Sequence, residues 1–197
     1  MPEVPLWPHT IVLLVGGSSR RMGRSKHDLE GSDGRTMLAM AFDTAHQVGQ
    51  RVLISGPSDL MPELPHVLDE RVDAGPVAGI EATLKSGNDE CYLFMPCDMP
   101  GLNPDVLRHL VDGLDQASAA IFEHSDDRGR AVLPLVLRTS TLTHLQTVIQ
   151  SGARSIHHFL EDLDVNEVPL KGDKCSILIN INNPSEWNDY LQSMISE

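Results

Sequence analysis

The residues suited to chemistry gather at three places along the chain. Gly16 and Gly17 follow directly on the apolar run "TIVLLV", and Arg20, Arg21, Arg24 and Lys26 come soon after. Glycines where a strand turns let backbone N–H groups approach a phosphate closely. Arginine adds bidentate contacts to phosphate oxygens, and lysine adds a compact cation. Asp98 stands just beyond the apolar run "CYLFMP". A carboxylate at the mouth of a buried strand is costly to desolvate, and a hard cation offsets that cost. Asn180 and Asn182, in "NINNP", present amide oxygens on one side of an extended chain, because side chains alternate there with a period of two. Together these types describe the handling of a polyphosphate with a metal ion. Each also has a plainer reading: a basic surface loop, an N-capping or ion-paired turn aspartate, and capping of a terminal helix by Asn182 or Asn183.

Elements must carry these residues to one place. Short apolar runs of β type alternate with helical patterns, which predicts an α/β fold with a mostly parallel sheet covered by helices. Strands are expected at "TIVLLV", "RVLIS", "CYLFMP", "SAAIF", "AVLPLVL" and "SILINI". Helices are expected over 36–48, over "PVAGIEATLKSG" with Pro76 near its start and Gly87 as its stop, and over "NPDVLRHLVDGL" capped by Asn103. Further helices are expected at "TLTHLQTVIQSG", near "SIHHFLEDL" and at "SEWNDYLQSM". The chain reads as one domain, 1–197, with an insertion-like region from about 123 to 173. Ligands of open α/β sheets bind beyond the carboxyl ends of the strands. The glycine loop, Gly75-Pro76, Asp98 and the asparagines all fall at such ends.

Composition narrows the partners. The 197 residues are 41% apolar, enough for one sizeable core, and carry a formal net charge of −13. That field repels nucleic acid and anionic lipid while leaving room for a small anion at a local cationic site. No stretch approaches the roughly 20 apolar residues of a membrane span, and "MPEVPLWPH" is unlike a secretory signal. Three cysteines without CxxC spacing fit reduced thiols acting as small apolar fillers in the cytoplasm. The glycine loop is neither a Walker A loop nor a GxGxxG fingerprint. His157-His158 point apart on a helix and form no zinc set, and Ser18 and Ser19 form no GxSxG elbow.

"LVGGSSRRMGRSK" resembles the nucleotide-binding signature of the molybdenum cofactor guanylyltransferase family, within the wider GT-A-like nucleotidyltransferases. Leu14, Gly16, Gly17, Arg21, Met22, Gly23 and Lys26 stand at the positions of its L-A-G-G…R-M-G-x-x-K pattern. "PCDMP" resembles its C-D-x-P element, "GPVAG" its G-P-x-x-G element and "NINNP" its N-x-N-T-P element. The motifs occur in the family's order and span nearly the whole chain. The resemblance implies a Rossmann-like (GT-A-like) three-layer α/β/α sandwich. It implies nucleotide contacts at Leu14, Val15, Gly16, Gly17, Lys26, Ser55, Asp69, Gly79 and Asp98, with Asp73 a rival to Asp69. Mg²⁺ on Asp98 and Asn182, and catalytic roles for Lys26, Arg21 and Asp98, follow from it too. Asn180, Asn182, Pro134 and Arg154, with Arg130, are the expected acceptor contacts. Val15 replaces the family's alanine, which would put a larger side chain where the nucleoside lies, and Ser25 replaces a common aspartate.

The implied reaction joins GMP from GTP to the terminal phosphate of molybdopterin and releases pyrophosphate. The implied partners are GTP, molybdopterin or its molybdenum form, and transiently the proteins that deliver the cofactor and mature molybdoenzymes. A relative using CTP or a sugar-phosphate acceptor is one alternative. A nucleotide-binding regulator without catalysis is the other.

Overall fold

A computed structural model describes residues 10–15, 29–31, 33–68, 71, 75–123, 132–170 and 174–195. Among these residues seven strands form one sheet in the order β3-β2-β1-β4-β6-β5-β7. The strands are β1 (Thr10–Leu14), β2 (Arg51–Ser55), β3 (His66–Val67), β4 (Cys91–Pro96), β5 (Ala119–Phe122), β6 (Leu135–Arg138) and β7 (Val165–Val168). Only β6 runs against the rest: it is antiparallel to β4 and β5, whereas every other pairing is parallel.

The helices are α1 (Met37–His46), α2 (Pro76–Ser86), α3 (Pro104–Asp112), α4 (Leu142–Gln150), α5 (Ile156–Leu160), α6 (Lys174–Ile177) and α7 (Pro184–Ile195). Strand residues alternate between two cores because strand side chains have a period of two. Ile11, Leu13, Val52, Ile54, Leu93 and Met95 pack with α1 and α3. Val12, Leu53, Tyr92 and Phe94 pack with α2, α4 and α5 on the other face. This is the expected α/β/α layering. All six residues of β4 are buried, as a central strand covered on both faces requires.

Local signals place the helix ends. Thr36 caps α1 by accepting from the Ala39 N–H at 3.1 Å. Asn103 caps α3 by accepting from Asp105 and Val106, with Pro104 at its first position. Gly87 ends α2 in the left-handed conformation.

Three elements differ from expectation. The stretch 176–181 is no strand. Its first residues belong to α6, and the chain then runs outside the sheet. Its apolar alternation is satisfied elsewhere: Ile179 and the fully buried Ile181 join Met37 of α1 and Trp187 of α7 in a third cluster. β3 and β7 were not expected. Both are edge strands with little burial, so neither leaves an apolar run to read. The region 123–173 also supplies β6, between β4 and β5, and β7 to the common sheet.

Candidate active site

The register of the central strands sets the site. Leu14 pairs with Ser55 on one side and with Pro96 on the other, so β1, β2 and β4 end in one row. The next residues are Val15, Gly56 and Cys97, then Asp98. The Val15 N–H donates to the Ser55 carbonyl at 2.8 Å, extending the ladder past the end of β1. Gly56 makes this close approach possible. A Cβ on it would stand 2.1 Å from the Val15 carbonyl oxygen.

Val15 is 2% exposed and packs in the core shared with α1 and α3. The expectation that its side chain occupies nucleoside space is therefore corrected: the isopropyl group points into the protein, and only the Val15 backbone faces the edge. Leu14 is half-buried and packs toward the opposite core. Ser55 is buried at the end of β2.

α2 starts at the same edge, since it returns between β3 and β4, which run in the same sense. Gly75 caps it at φ 70°, a conformation that favours glycine, and a Cβ there would meet the Arg154 carbonyl at 3.3 Å. Arg154, exposed in the turn between α4 and α5, therefore lies beside the start of α2. Gly79 is buried within α2, where its carbonyl accepts from the Thr83 hydroxyl at 2.7 Å. Pro134 is buried just before β6, whose antiparallel pairing brings its first residue, Leu135, opposite Phe94 near the end of β4.

Asp98 is half-buried. Its carbonyl accepts from the Ile181 N–H at 2.9 Å, which brings the asparagine segment against the turn after β4. Asn182 donates from Nδ2 to the Asn180 carbonyl at 3.2 Å. That bond engages the amide nitrogen and not Oδ1, the atom a cation needs. Asp98 and Asn182 both carry hard oxygen donors, the ligand type that a Mg²⁺-type ion takes. Among the described residues no three His, Cys, Asp or Glu side chains gather into a metal cage.

Gly16, Gly17, Arg21, Lys26 and Asp69 lie outside the described residues, as do Arg130 and Asp73. The Leu29 carbonyl accepts from the Met37 N–H, and the Glu30 carbonyl accepts from the Trp187 indole at 2.7 Å.

Two supports of this edge escaped the sequence. Glu81 of α2 is 2% exposed and is held by Arg71 at 2.7 Å and Lys85 at 3.1 Å. The Arg71 contact, then Lys85, lowers its carboxyl below the usual range against the cost of burial. Glu186 binds the asparagine segment. Asn183 caps α7 by accepting from the Glu186 N–H at 3.0 Å while Glu186 accepts from Asn183 Nδ2 at 2.6 Å. The spacing N-P-S-E carried that signal, since a capping residue three before a glutamate marks a helix start.

Comparisons with known proteins agree with this fold. The family model described as MobA-like NTP transferase domain matches residues 11–166. The molybdenum cofactor guanylyltransferase of Yersinia pseudotuberculosis serotype O:1b is 30% identical over 183 residues, covering 90% of this chain and 92% of that one. The crystal structure of molybdopterin-guanine dinucleotide biosynthesis protein A from Archaeoglobus fulgidus shares the fold, with a TM-score of 0.79 at 22% identity over 95% of this chain and all of that one. A Mycobacterium tuberculosis protein solved in complex with manganese gives a TM-score of 0.64 at 17% identity, covering 93% and 97% of the two chains. The chain belongs to the MobA-like NTP transferase family and is a nucleotidyltransferase.

Proposed function

We propose that this enzyme transfers GMP from GTP to the terminal phosphate of molybdopterin, or of the molybdenum cofactor, and releases pyrophosphate. The observation that carries the reading is the meeting of the Asp98 turn and the Asn180–Asn182 segment at the edge where Leu14, Ser55 and Pro96 end together. The relatives' guanylyltransferase name supports the choice of substrates. Manganese in a structure of the same fold supports a divalent ion.

In this reading Leu14 to Gly17, Ser55, Asp69 and Gly79 hold the nucleoside and phosphates. Asp98 and Asn182 would hold Mg²⁺, which when bound neutralises phosphate charge and orients phosphate oxygens. Arg21 and Lys26 meet the charge that develops on the departing pyrophosphate. Asn180, Pro134 and Arg154 contact the acceptor, whose terminal phosphate attacks the α-phosphorus in line. No protein nucleophile is required, because phosphoryl transfer depends on positioning and charge compensation. The enzyme works in the cytoplasm, alongside the proteins that supply molybdopterin and take up the product.

Pyrophosphate release with molybdopterin and Mg²⁺ tests the reading. Release with GTP, and little with CTP, is the expected result. Release with CTP alone, or with a sugar phosphate in place of molybdopterin, would transfer the enzyme to another substrate class. No release with any pair, despite measured GTP binding, would make it a regulator.

A further inference from the structure

We infer that Glu186, at the start of α7, is a positioning residue for the metal-side asparagine. The inference rests on the reading of Asp98 and Asn182 as the magnesium ligands. Residues 178–183 belong to no helix or strand. Glu186 exchanges three hydrogen bonds with Asn182 and Asn183 of this stretch. One carboxylate oxygen accepts the Asn182 backbone N–H at 2.5 Å, and the other accepts Asn183 Nδ2 at 2.6 Å. Charge-assisted bonds of this length are among the stronger ones a chain makes.

In the usual capping box the glutamate takes the N–H of the capping residue itself. Here it takes the N–H one residue earlier, at Asn182. The carboxylate therefore clamps the residue whose amide oxygen serves the ion. The clamp itself is anchored. Its neighbour Trp187 is 3% exposed, donates to the Glu30 carbonyl at 2.7 Å and packs with Met37 and Ile181. On the far side, Ile181 is tied to Asp98. A neutral amide is a weak magnesium ligand, so its contribution depends on being held in place beforehand. Glu186 reaches the metal through Asn182 and touches no substrate.

The test is Mn²⁺ affinity in the presence of GTP, read by electron paramagnetic resonance, together with the metal dependence of pyrophosphate release. Glu186→Ala should weaken Mn²⁺ binding and raise the half-saturating metal concentration about tenfold, with the KM for GTP at saturating metal nearly unchanged. Glu186→Gln keeps one acceptor oxygen at the same reach and should restore most of the affinity. Glu186→Asp keeps the charge and the helix start but is one methylene short. It should behave like the alanine variant, which keeps the test open if Glu186→Ala folds poorly. Metal affinity unchanged in both Glu186→Ala and Glu186→Asp would overturn the inference. Asp98→Ala runs in parallel. If Asp98→Ala loses Mn²⁺ and the Glu186 variants do not, only the positioning role fails. If Asp98→Ala still binds Mn²⁺ as the parent does, the metal assignment fails and the role of Glu186 fails with it.

Discussion

Ile181 donates its backbone N–H to the carbonyl of Asp98 at 2.9 Å, across 83 positions of sequence. One bond thereby joins the turn after the central strand to a segment that belongs to no sheet. The two residues read as metal ligands flank it, Asp98 itself on one side and Asn182 next to Ile181 on the other.

Removing the carboxylate from that pair should stop turnover without unfolding the protein. Asp98 is only half-buried and sits in a turn, so Asp98→Ala leaves no large cavity. If Asp98 anchors the metal as proposed, its loss should lower pyrophosphate release on the order of 10³-fold or more. Circular dichroism and the melting temperature should stay near those of the parent. Full activity with Mg²⁺ present would remove Asp98 from the chemistry.

Gly56 offers a test of the edge geometry. A methyl group there would overlap the Val15 carbonyl oxygen, 2.1 Å from the ideal Cβ, and the obstacle is backbone that cannot rotate away. Gly56→Ala should therefore cost about 1–3 kcal/mol, as overpacking does. For a chain of this size each kcal/mol lowers Tm by about 2–4 °C. Displacing Val15 should also raise the KM for GTP. An unchanged Tm would show that β1 and β2 part more freely at their ends than the 2.8 Å Val15–Ser55 bond implies.

Much of this was legible in the sequence, and the remainder was hidden for definable reasons. The apolar run at Cys91–Pro96 announced a central strand because every residue in it is buried. Asn103-Pro104 announced a helix start through capping chemistry alone. By contrast, "SILINI" alternates like a strand, yet Ile179 and Ile181 meet α1 and α7, and no local pattern states which partner satisfies an alternation. The departure at Val15 looked like an obstacle to the nucleoside because sequence gives a residue's size but not its direction. Glu81 was invisible as a buried charge. Its partner Arg71 comes from ten residues away on a segment outside helices and strands.

That buried charge carries a pH dependence. Arg71 and Lys85 hold the Glu81 carboxyl below its ordinary value of 4.5. The folded protein therefore takes up this proton at lower pH than the unfolded chain does. The resulting stability is fully present above about pH 4.5 and is lost as pH falls through the lowered folded value. Glu81→Gln should cost about 1–2 kcal/mol at pH 7, since both cations are partly exposed and remain hydrated without their partner. Urea unfolding of parent and variant from pH 7 down to 3 should show the two curves converging below pH 4.5. A gap that stays constant across that range would mean the carboxylate's charge contributes nothing.

Cys91 gives a readout of the start of the central strand β4. It is fully buried, and desolvation pushes its thiol up to about 12, with nearby Asp89 adding to the rise and Arg138 opposing it. At pH 8 the thiolate fraction is then about 10⁻⁴, against roughly a quarter for an ordinary free cysteine. Both the low fraction and the closed packing prevent alkylation. Iodoacetamide at pH 8, followed by peptide mapping, should leave Cys91 unmodified in the folded protein and alkylate it fully in urea. Because Cys91 opens β4, pairs with Arg138 of β6 and is buried in the core shared with α1 and α3, reagent reaches this sulfur only when that end of the sheet and its helices part. Its labelling rate should thus follow global unfolding and fall when Tm rises. Rapid labelling under native conditions would mean that the start of β4 is not held against β6 and the core beneath it.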